Sequence, residues 1–415
     1  MKELFSNVIK EVTPNKDYEN DILNKTDDII KKLNKNIKDV KVILGGSGAK
    51  GTWLKTFDVD IFVKFNYNKY KDKSDKLSEI LVKSLKKLYP KVIRLHGSRD
   101  YFQIKQSKFT FEIIPILDIK KAEQAKNITD VSPLHSKFVL QHKKLGDEIR
   151  LTKQFCKANG VYGAESYIRG FSGYICEILT INYGSFLNLI KNAAKWKDKA
   201  LIDVKKFYKG KDIFLEINKS KLVSPLIVID PVQKDRNAAA ALSNEKFELF
   251  RTKAKQFIKK PSKTFFTVKE FNIDNIKSKF KNKNLILLEI EPLKRKEDVS
   301  GAKLLKAFEF FTKGLDKKEF KTVNSNWNWD KKTNAYFYFV FERTLLSATK
   351  ELSGPPVKLK FHAEKFRKKY KKTRVKGKIL VAIVKRDFRK PEELVRILVK
   401  DEYIKDKVKS IKIIN

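Results

Sequence analysis

The chain reads Gly45-Gly46-Ser47-Gly48-Ala49-Lys50-Gly51 between two short apolar segments, Val40–Leu44 and Val59–Phe65. Four of its sixteen glycines fall within this one turn. Short apolar runs bounded by glycine predict buried strands, and the backbone amides of such a turn can cradle a phosphate group. The stretch therefore predicts a strand, a phosphate-binding turn and a second strand in direct succession.

Two carboxylates open the second strand. Asp58 and Asp60 are separated by one residue, so both can project from the same face of a strand while Val59 packs behind them. A third predicted strand, Phe109–Ile116, carries Glu112 among apolar neighbours. Carboxylate oxygens suit Mg²⁺, and two such ions roughly 3.5–4 Å apart support nucleotidyl transfer. We therefore expect Asp58, Asp60 and Glu112 to be catalytic and to hold two Mg²⁺ ions.

Neither the turn nor the acidic pair is specific by itself. With 49 acidic residues in 415, two acids at this spacing arise about six times by chance. The two features in this order are more informative, because Ser47 would supply a hydroxyl and an amide to a triphosphate and Lys50 a positive charge. Together they predict a metal-dependent nucleotidyltransferase.

The charge of the chain points to an anionic partner. Lys and Arg number 92 against 49 Asp and Glu, for a formal net charge of +43. The basic residues are spread along the whole chain, which favours nucleic acid over a membrane surface as the partner. The alternative is that a biased genome or a hot habitat enriches lysine.

Other classes of protein are disfavoured. The two cysteines make neither a disulfide framework nor a metal cluster, so we expect buried thiols. No apolar run reaches membrane-spanning length, and no signal-like apolar region opens the chain. We expect a soluble, cytoplasmic protein with two to four domains and no membrane contact.

Several segments resemble a known family. The glycine turn followed by Asp58-Val59-Asp60-Ile61-Phe62-Val63 resembles the signature of the DNA polymerase β nucleotidyltransferase superfamily. Segments further along the chain resemble the archaeal, class I CCA-adding enzymes, which are tRNA nucleotidyltransferases. They are Lys157-Ala158-Asn159-Gly160-Val161-Tyr162-Gly163-Ala164-Glu165, Ile168-Arg169-Gly170-Phe171-Ser172-Gly173-Tyr174, Asp230-Pro231-Val232 with Arg236-Asn237, and Gly354-Pro355-Pro356.

The resemblance implies an enzyme that adds or repairs the 3′-terminal CCA of tRNA, using CTP and ATP without a nucleic-acid template. It also implies nucleotide binding by Gly46, Ser47, Lys50, His135, Lys153, Tyr162 and Arg236. Most of these would hold the triphosphate, while Arg236 would help to choose the base together with the RNA backbone. Taken without the family, His135 is more typical of a surface or capping histidine. Lys153 would look like an ordinary helix-surface residue and Tyr162 like an ordinary loop residue, so their assignment rests on the resemblance.

The chain departs from the family at three of the expected site positions. The family typically has Glu where Asp58 stands and Asp where Glu112 stands, which moves the reach of each carboxylate by one methylene. Lys50 replaces a frequent arginine, so a point charge takes the place of bidentate phosphate contact.

The predicted fold is α+β and multidomain. We expect a nucleotidyltransferase catalytic domain over residues 1–137, with a mixed sheet and helices, and a mostly helical central domain for nucleotide and tRNA over 138–260. Residues 261–320 and 376–415 are expected to form a ferredoxin-like, RNA-binding C-terminal domain. The resemblance supports an inserted tail subdomain over 321–375.

A basic helix is predicted within that tail. Its candidate RNA-binding residues are Lys365, Arg367, Lys368, Lys369 and Tyr370, although charge runs are more often simply solvated. The expected partner is the acceptor end of tRNA, because duplex RNA is read mainly through its shape and phosphates. A homodimer is one alternative for the oligomeric state.

Two other functions share parts of this pattern. A poly(A) polymerase or an oligoadenylate synthase would have the same catalytic signature, although the downstream segments argue against both. A catalytically inactive RNA-binding relative would keep the fold, but all three expected metal-binding positions are still acidic.

Overall fold

The computed structural model describes residues 1–55, 58–342 and 345–414, which fall into two compact units, Met1–Lys269 and Glu270–Asn415. The first half of the first unit contains α1 (Lys2–Val12), α2 (Lys16–Asn36), β1 (Val40–Leu44), α3 (Gly46–Lys50), β2 (Val59–Asn66), α4 (Tyr67–Tyr70), α5 (Leu77–Leu88), β3 (Ile93–Leu95), β4 (Tyr101–Gln106) and β5 (Phe109–Asp118).

These strands form one mixed sheet in the order β1-β2-β5-β4-β3. β2 lies inside it, antiparallel to β1 and parallel to β5. Its apolar residues are buried, as expected for a strand with neighbours on both sides. Helix α2 begins after Asn15, whose side chain accepts a hydrogen bond from the Tyr18 amide at 2.8 Å. It packs Ile22, Ile29 and Leu33 into the core beneath the sheet.

The second half of this unit is mostly helical. It contains α6 (Ser132–Leu140), α7 (Gly146–Ala158), α8 (Gly173–Tyr183), α9 (Phe186–Ala193), β6 (Ala200–Ile202), α10 (Ile213–Glu216), β7 (Leu226–Val228) and α11 (Asn244–Lys259). Its core is rich in aromatic rings, with Phe155, Phe186, Phe250 and Phe257 fully buried. Cys156 and Cys176 are both free and buried, as expected.

The predicted boundaries placed helix α1 in the catalytic domain, but its packing is different. Val8 is buried in the helical core, and the ring of Phe5 meets Phe186 edge-on at 5.5 Å. The apolar face of α1 therefore packs against the second half of the unit rather than against the sheet.

The second unit contains a second sheet and an inserted segment. Its elements are α12 (Ile273–Lys279), β8 (Asn284–Pro292), α13 (Glu297–Lys317), β9 (Thr322–Trp329), β10 (Ala335–Phe341), β11 (Thr349–Pro356), α14 (Lys360–Lys369), β12 (Thr373–Lys376), β13 (Ile379–Lys385), α15 (Pro391–Leu398), α16 (Glu402–Lys405) and β14 (Val408–Ile414). The order β14-β8-β10-β9, with α13 after β8 and α15 before β14, is that of a ferredoxin-like fold. The predicted α+β fold class is confirmed.

The predicted tail segment, 321–375, does not match the sheets. β9 and β10 belong to the ferredoxin-like sheet, where they pair with each other and β10 pairs with β8. The insertion lies between β10 and α15 instead, and its own sheet has the order β11-β13-β12. The predicted part 376–415 placed β13 in the ferredoxin-like sheet. Its apolar run is typical of a strand in either sheet, so the sequence did not show to which sheet it belongs. Within the described ranges, no helix is both long and apolar enough to span a membrane.

Candidate active site

Asp60 and Glu112 lie side by side on neighbouring strands. In the parallel pairing of β2 with β5, Asp60 is the register partner of Glu112, so the two side chains leave the same face of the sheet. Both residues are half-buried, while Asp58 is exposed and directly precedes β2. The two strands thus bring together two carboxylates that are far apart in the sequence, with the third one residue beyond the strand.

The electrostatic surroundings of Asp60 favour a bound cation. Burial raises the pKa of Asp60 from its usual 3.8 to about 6, and the neighbouring charge of Asp58 adds to the rise. Lys50 acts in the opposite direction. A carboxylate whose ionised form is disfavoured in this way gains stability when a cation joins it.

The donor chemistry of the three carboxylates fits a hard divalent ion. Their oxygens are the ligands that Mg²⁺ prefers, and Mg²⁺ keeps several waters, so few protein ligands are needed. Among the described residues, no three His, Cys, Asp or Glu side chains are already gathered closely enough to hold a metal. In the described parts of the chain, the strands thus bring together Asp60 and Glu112 as register partners, while the expected cluster of these two with Asp58 is not assembled.

The glycine turn is built against Asp60. The amide of Gly45 donates to the carbonyl of Asp60 at 2.7 Å, which joins the start of the turn to β2. The predicted turn takes the form of the short helix α3, which ends at Gly51 with a left-handed φ of 64°. Ser47 is half-buried within it. The glycine turn and the acidic strand β2 are thus direct neighbours.

Two of the expected nucleotide-binding lysines share one buried carboxylate. Lys50 donates to Oε2 of Glu177 at 2.7 Å, and Lys153 donates to Oε1 at 2.7 Å. The hydroxyl of Thr52 also donates to Oε1, at 2.9 Å. Burial alone would raise the pKa of Glu177, but the two lysines outweigh it and hold the pKa at about 2.

Sequence reasoning missed Glu177. The only signal available was a single acid in the otherwise uncharged and largely apolar helix α8, where a charged residue is rarely buried unless it is paired. Burial lowers the pKa of Lys153, while the charge of Glu177 opposes that change.

A second buried carboxylate, Asp230, gathers another group of side chains. His135 Nε2 lies 3.1 Å from its Oδ2, Arg236 donates to the same oxygen at 2.5 Å, and the Tyr174 hydroxyl donates to Oδ1 at 3.1 Å. The amide of Val232 donates to Oδ1 at 2.9 Å. Burial alone would raise the pKa of Asp230, but His135, this amide and Arg236 hold it at about 2.

Tyr174 links the two groups. Its ring stacks on that of His135, with centroids 4.0 Å apart, and the ammonium of Lys50 lies 5.9 Å from the centre of the Tyr174 ring. Tyr174 was quoted only as part of a motif in the sequence, and Asp230 likewise. The structure thus brings Lys50, His135, Lys153 and Arg236 together through two acids and a tyrosine.

Tyr162 lies beside the start of α8. A β-carbon on Gly173 would be 3.0 Å from the Tyr162 hydroxyl and 3.7 Å from Cε of Lys153, so these three residues are close neighbours. The ammonium of Lys157 lies 5.3 Å from the Tyr162 ring centre. Burial raises the pKa of Tyr162, which keeps its hydroxyl protonated.

The candidate RNA-binding residues lie on α14 in the second unit. Ala363 is the buried residue of this helix, and the expected basic residues Lys365, Arg367, Lys368 and Lys369 line its exposed side. Tyr370 is half-buried and packs on Phe366, with ring centres 4.8 Å apart. Four of the five candidates are thus exposed, and Tyr370, which directly follows the helix, is half-buried against Phe366.

Three family descriptions match consecutive parts of the chain. Residues 23–141 match a nucleotidyltransferase domain, residues 147–267 the second domain of tRNA nucleotidyltransferases, and residues 284–411 the C-terminal domain of CCA-adding enzymes.

Curated relatives match over most of their length. The chain is 37% identical to a CCA-adding enzyme of Nanoarchaeum equitans, over 83% of this chain and 84% of the relative. It is 32% identical to a CCA-adding enzyme of Methanocaldococcus jannaschii, over 94% of this chain and 88% of the relative.

Solved structures show the same fold at low identity. A cytoplasmic RNA terminal U-transferase superposes with a TM-score of 0.51 at 12% identity, covering 65% of this chain and 100% of that one. Cid1, an RNA terminal uridylyl transferase, superposes with a TM-score of 0.52 at 12% identity, covering 65% and 98%. These likenesses support the nucleotidyltransferase fold alone.

Proposed function

The chain belongs to the CCA-adding enzymes, and from this premise we propose that it completes and repairs the 3′-terminal CCA of tRNA. In this reaction the 3′-hydroxyl of the tRNA attacks the α-phosphorus of CTP or ATP, a new phosphodiester bond forms, and pyrophosphate leaves. The observation that carries the proposal is the pairing of Asp60 with Glu112 directly beside the turn at Gly46.

Asp58, Asp60 and Glu112 would hold divalent metal, and we propose two Mg²⁺ ions. Such ions, when bound, activate the attacking oxygen and stabilise the leaving one. The raised pKa of Asp60 supports this role, because a cation would remove the disadvantage of its buried charge.

The glycine turn would receive the triphosphate. Gly46 lets the carboxylate of Asp60 lie directly against the turn, Ser47 offers a hydroxyl and an amide, and Lys50 offers a positive charge. The ammonium of Lys50 is held by the buried carboxylate of Glu177, and only 10% of its side chain is exposed, so its charge would be presented from a fixed position.

The group around Asp230 would receive the rest of the nucleotide. Arg236 keeps 31% of its side chain exposed while one of its nitrogens is bonded to Asp230. It would therefore present a fixed donor edge to a base or to the RNA backbone, while His135 and Tyr174 form a stacked pair beside it. Tyr162, with its protonated hydroxyl beside the start of α8, would donate a hydrogen bond to the nucleotide.

The rest of the chain would hold the tRNA. A net charge of +43 supplies many cations for RNA phosphates, and we propose that the exposed face of α14 is part of the binding surface. We also propose the four predicted domains, with α1 moved to the central domain, β9 and β10 moved to the ferredoxin-like domain and β13 moved to the insertion. A cytoplasmic location is a further proposal.

A direct assay tests the function. Labelled CTP, ATP or UTP is offered to tRNAs that lack CCA, CA or only the final A. We expect addition that stops when CCA is complete and no incorporation of UTP. Unlimited tailing with ATP would support a poly(A)-type enzyme instead, and binding without any transfer would support the inactive relative.

A further inference from the structure

A cavity of about 380 Å³ lies beside α6 in the first unit, and four exposed lysines line it. We call it the lysine cavity, after Lys120, Lys121, Lys137 and Lys205. Among the residues that the structure describes, no aspartate or glutamate forms an ion pair with any of the four. No described residue of the glycine turn lines the cavity, so it is separate from the candidate triphosphate site.

Local contacts hold these lysines around the cavity. The side-chain oxygen of Gln124 accepts hydrogen bonds from the amides of Lys120 at 2.8 Å and Lys121 at 3.1 Å, which fixes the turn that follows β5. The ammonium of Lys205 lies 5.5 Å from the ring centre of Phe138, which also lines the cavity. An aromatic face attracts a cation at this distance. The backbone of two lysines and the ammonium of a third are thus held in place.

Helix α6 lies between the lysine cavity and the group around Asp230. Leu134, Lys137 and Phe138 line the cavity, and their three- and four-residue spacing places them on one face of the helix. The ring of His135 lies against the carboxylate of Asp230 instead. The cavity therefore adjoins the candidate nucleotide site without being part of it.

The charges in the cavity favour an anionic ligand. Four ammonium groups face one carboxylate, that of Glu123, which also lines the cavity. Like charges around one cavity repel each other, and a bound phosphate would offset this repulsion. The volume of about 380 Å³ lies within the roughly 300–1,000 Å³ that is typical of ligand pockets.

We propose that the lysine cavity binds phosphates of the tRNA backbone close to the 3′ end that receives CMP and AMP. Lysines are point charges, and binding to backbone phosphates depends mainly on charge and on the release of counterions. Pro231 and Val232, which directly follow Asp230, line the cavity. RNA held there would therefore lie next to the candidate nucleotide site. This inference rests on the proposed function, because the RNA would be the substrate.

Replacing all four lysines of the cavity by glutamine in the full chain tests the proposal. For each phosphate contact that is lost, the tRNA affinity should fall by roughly fivefold at about 0.15 M salt. The slope of log affinity against log salt should become shallower by about 0.7–0.9 per contact. The side chains are exposed, so the melting temperature should change little. Direct titration with tRNA measures affinity and slope without depending on transfer.

The matched control removes the same charge elsewhere in the first unit. It replaces by glutamine four exposed lysines that have no acidic partner among the described residues, namely Lys31 and Lys35 on α2 and Lys83 and Lys86 on α5. The control should keep most of the tRNA affinity and of the salt slope. An equal loss in the two fourfold variants would mean that net charge alone is responsible, and it would overturn the proposal.

Two further measurements test the contact itself. Arginine at all four positions keeps the charge, so this variant should keep most of the tRNA affinity, and a loss as large as with glutamine would contradict the proposal. A tRNA with a neutral methylphosphonate at one phosphate near the 3′ end should bind the unmodified chain more weakly. At the contacted phosphate it should add little to the loss in the glutamine variant. Additive losses at every such phosphate would overturn the proposal.

Steady-state kinetics distinguish RNA from free nucleotide as the source of the phosphate. In the glutamine variant the KM for tRNA should rise, while the KM for CTP and ATP and the inhibition by pyrophosphate stay unchanged. A rise confined to the KM for CTP and ATP would assign the cavity to the nucleotide and would overturn the proposal. Failure of the proposed function is a different result, in which the unmodified chain binds tRNA but adds neither CMP nor AMP to it.

Discussion

The backbone of Gly46 lies against the carboxylate of Asp60, so closely that a β-carbon on Gly46 would be 1.6 Å from Oδ2 of Asp60. Gly46 also has a left-handed φ of 51°, which residues other than glycine rarely adopt. The glycine is therefore required twice, by the conformation of the turn and by the space beside a metal-binding candidate.

Gly46→Ala should reduce nucleotidyl transfer by roughly a hundredfold or more, because the new methyl group displaces Asp60 or the turn by about 1 Å. The control is Gly51→Ala, in the same turn, where φ is 64° and a β-carbon would meet nothing within 4 Å. That variant bears only the backbone strain of about 1 kcal/mol and should keep most of its activity. Equal reductions in the two variants would show that strain alone, and not the closeness of Asp60, makes Gly46 necessary.

Asp60→Asn should abolish transfer of CMP and AMP while tRNA affinity stays nearly unchanged, because the substitution removes a candidate metal ligand and leaves the basic surface intact. Transfer to tRNA and tRNA binding are measured side by side. Asp118→Asn is the control: Asp118 ends β5 and pairs with Lys64 at 2.6 Å. If Asp60→Asn retained activity, the metal assignment would be wrong.

Asp60 should also make the stability of the ligand-free protein depend on pH. Because its pKa is raised from 3.8 to about 6, the folded state keeps a proton between these values that the unfolded state has released. The contribution of Asp60 to the free energy of unfolding is therefore fully present below about pH 4 and is lost as the pH rises through 6.

Asp60→Asn removes this penalty, so the variant and the unmodified protein should be equally stable near pH 4. The variant should become more stable by about 3 kcal/mol at most near pH 7. Unfolding by urea without divalent metal, followed from pH 4 to 7, measures the difference. Glu177 and Asp230 are present in both proteins, so their contributions cancel. Parallel stability curves would contradict the prediction.

Asp230→Asn should weaken nucleotide binding and destabilise the protein by on the order of 3 kcal/mol, because His135 and Arg236 no longer have a buried negative partner. The pKa of Asp230 is about 2, so its stabilising effect is complete above about pH 4 and disappears as the pH falls toward 2. The variant should therefore differ most from the unmodified protein at neutral pH.

Asp235→Asn is the matched control for that change. Asp235 has 72% of its side chain exposed and pairs with Lys221 at the surface. Its replacement should alter stability by no more than about 0.5 kcal/mol. Nucleotide affinity and urea unfolding are measured for both variants, and similar effects in the two would argue against a special role for Asp230.

The basic face of α14 should bind tRNA phosphates. Replacing Lys368 and Lys369 together by Gln should lower the tRNA affinity and reduce the slope of log affinity against log salt by about 0.7–0.9 for each phosphate that the variant no longer neutralises. Lys86→Gln with Lys87→Gln on α5 removes the same charge from the end of another helix. If both pairs reduced the slope equally, the effect would reflect net charge and not a specific surface.

Local features of the site could be predicted from the sequence. Short apolar runs placed Asp60 and Glu112 on buried strands, and the glycine cluster marked the turn between β1 and β2. In each case the pattern that carries the information spans only a few residues.

Other features were not accessible in this way. Glu177 pairs with Lys50 across 127 positions, and nothing near either residue in the sequence identifies the other as its partner. The sheet to which β9, β10 and β13 belong was likewise not encoded in their apolar patterns, which are typical of strands in any sheet.

The sequence by itself determined which residues are acidic, where strands and the glycine turn begin, and to which family the pattern is similar. Only the tertiary structure decided that Lys50 and Lys153 share one buried carboxylate, and that His135 and Arg236 share another. The physical reason is that backbone periodicity depends on neighbouring residues. The pairing of buried charges depends on which helices pack together, and burial then makes an unpaired charge too unfavourable to persist.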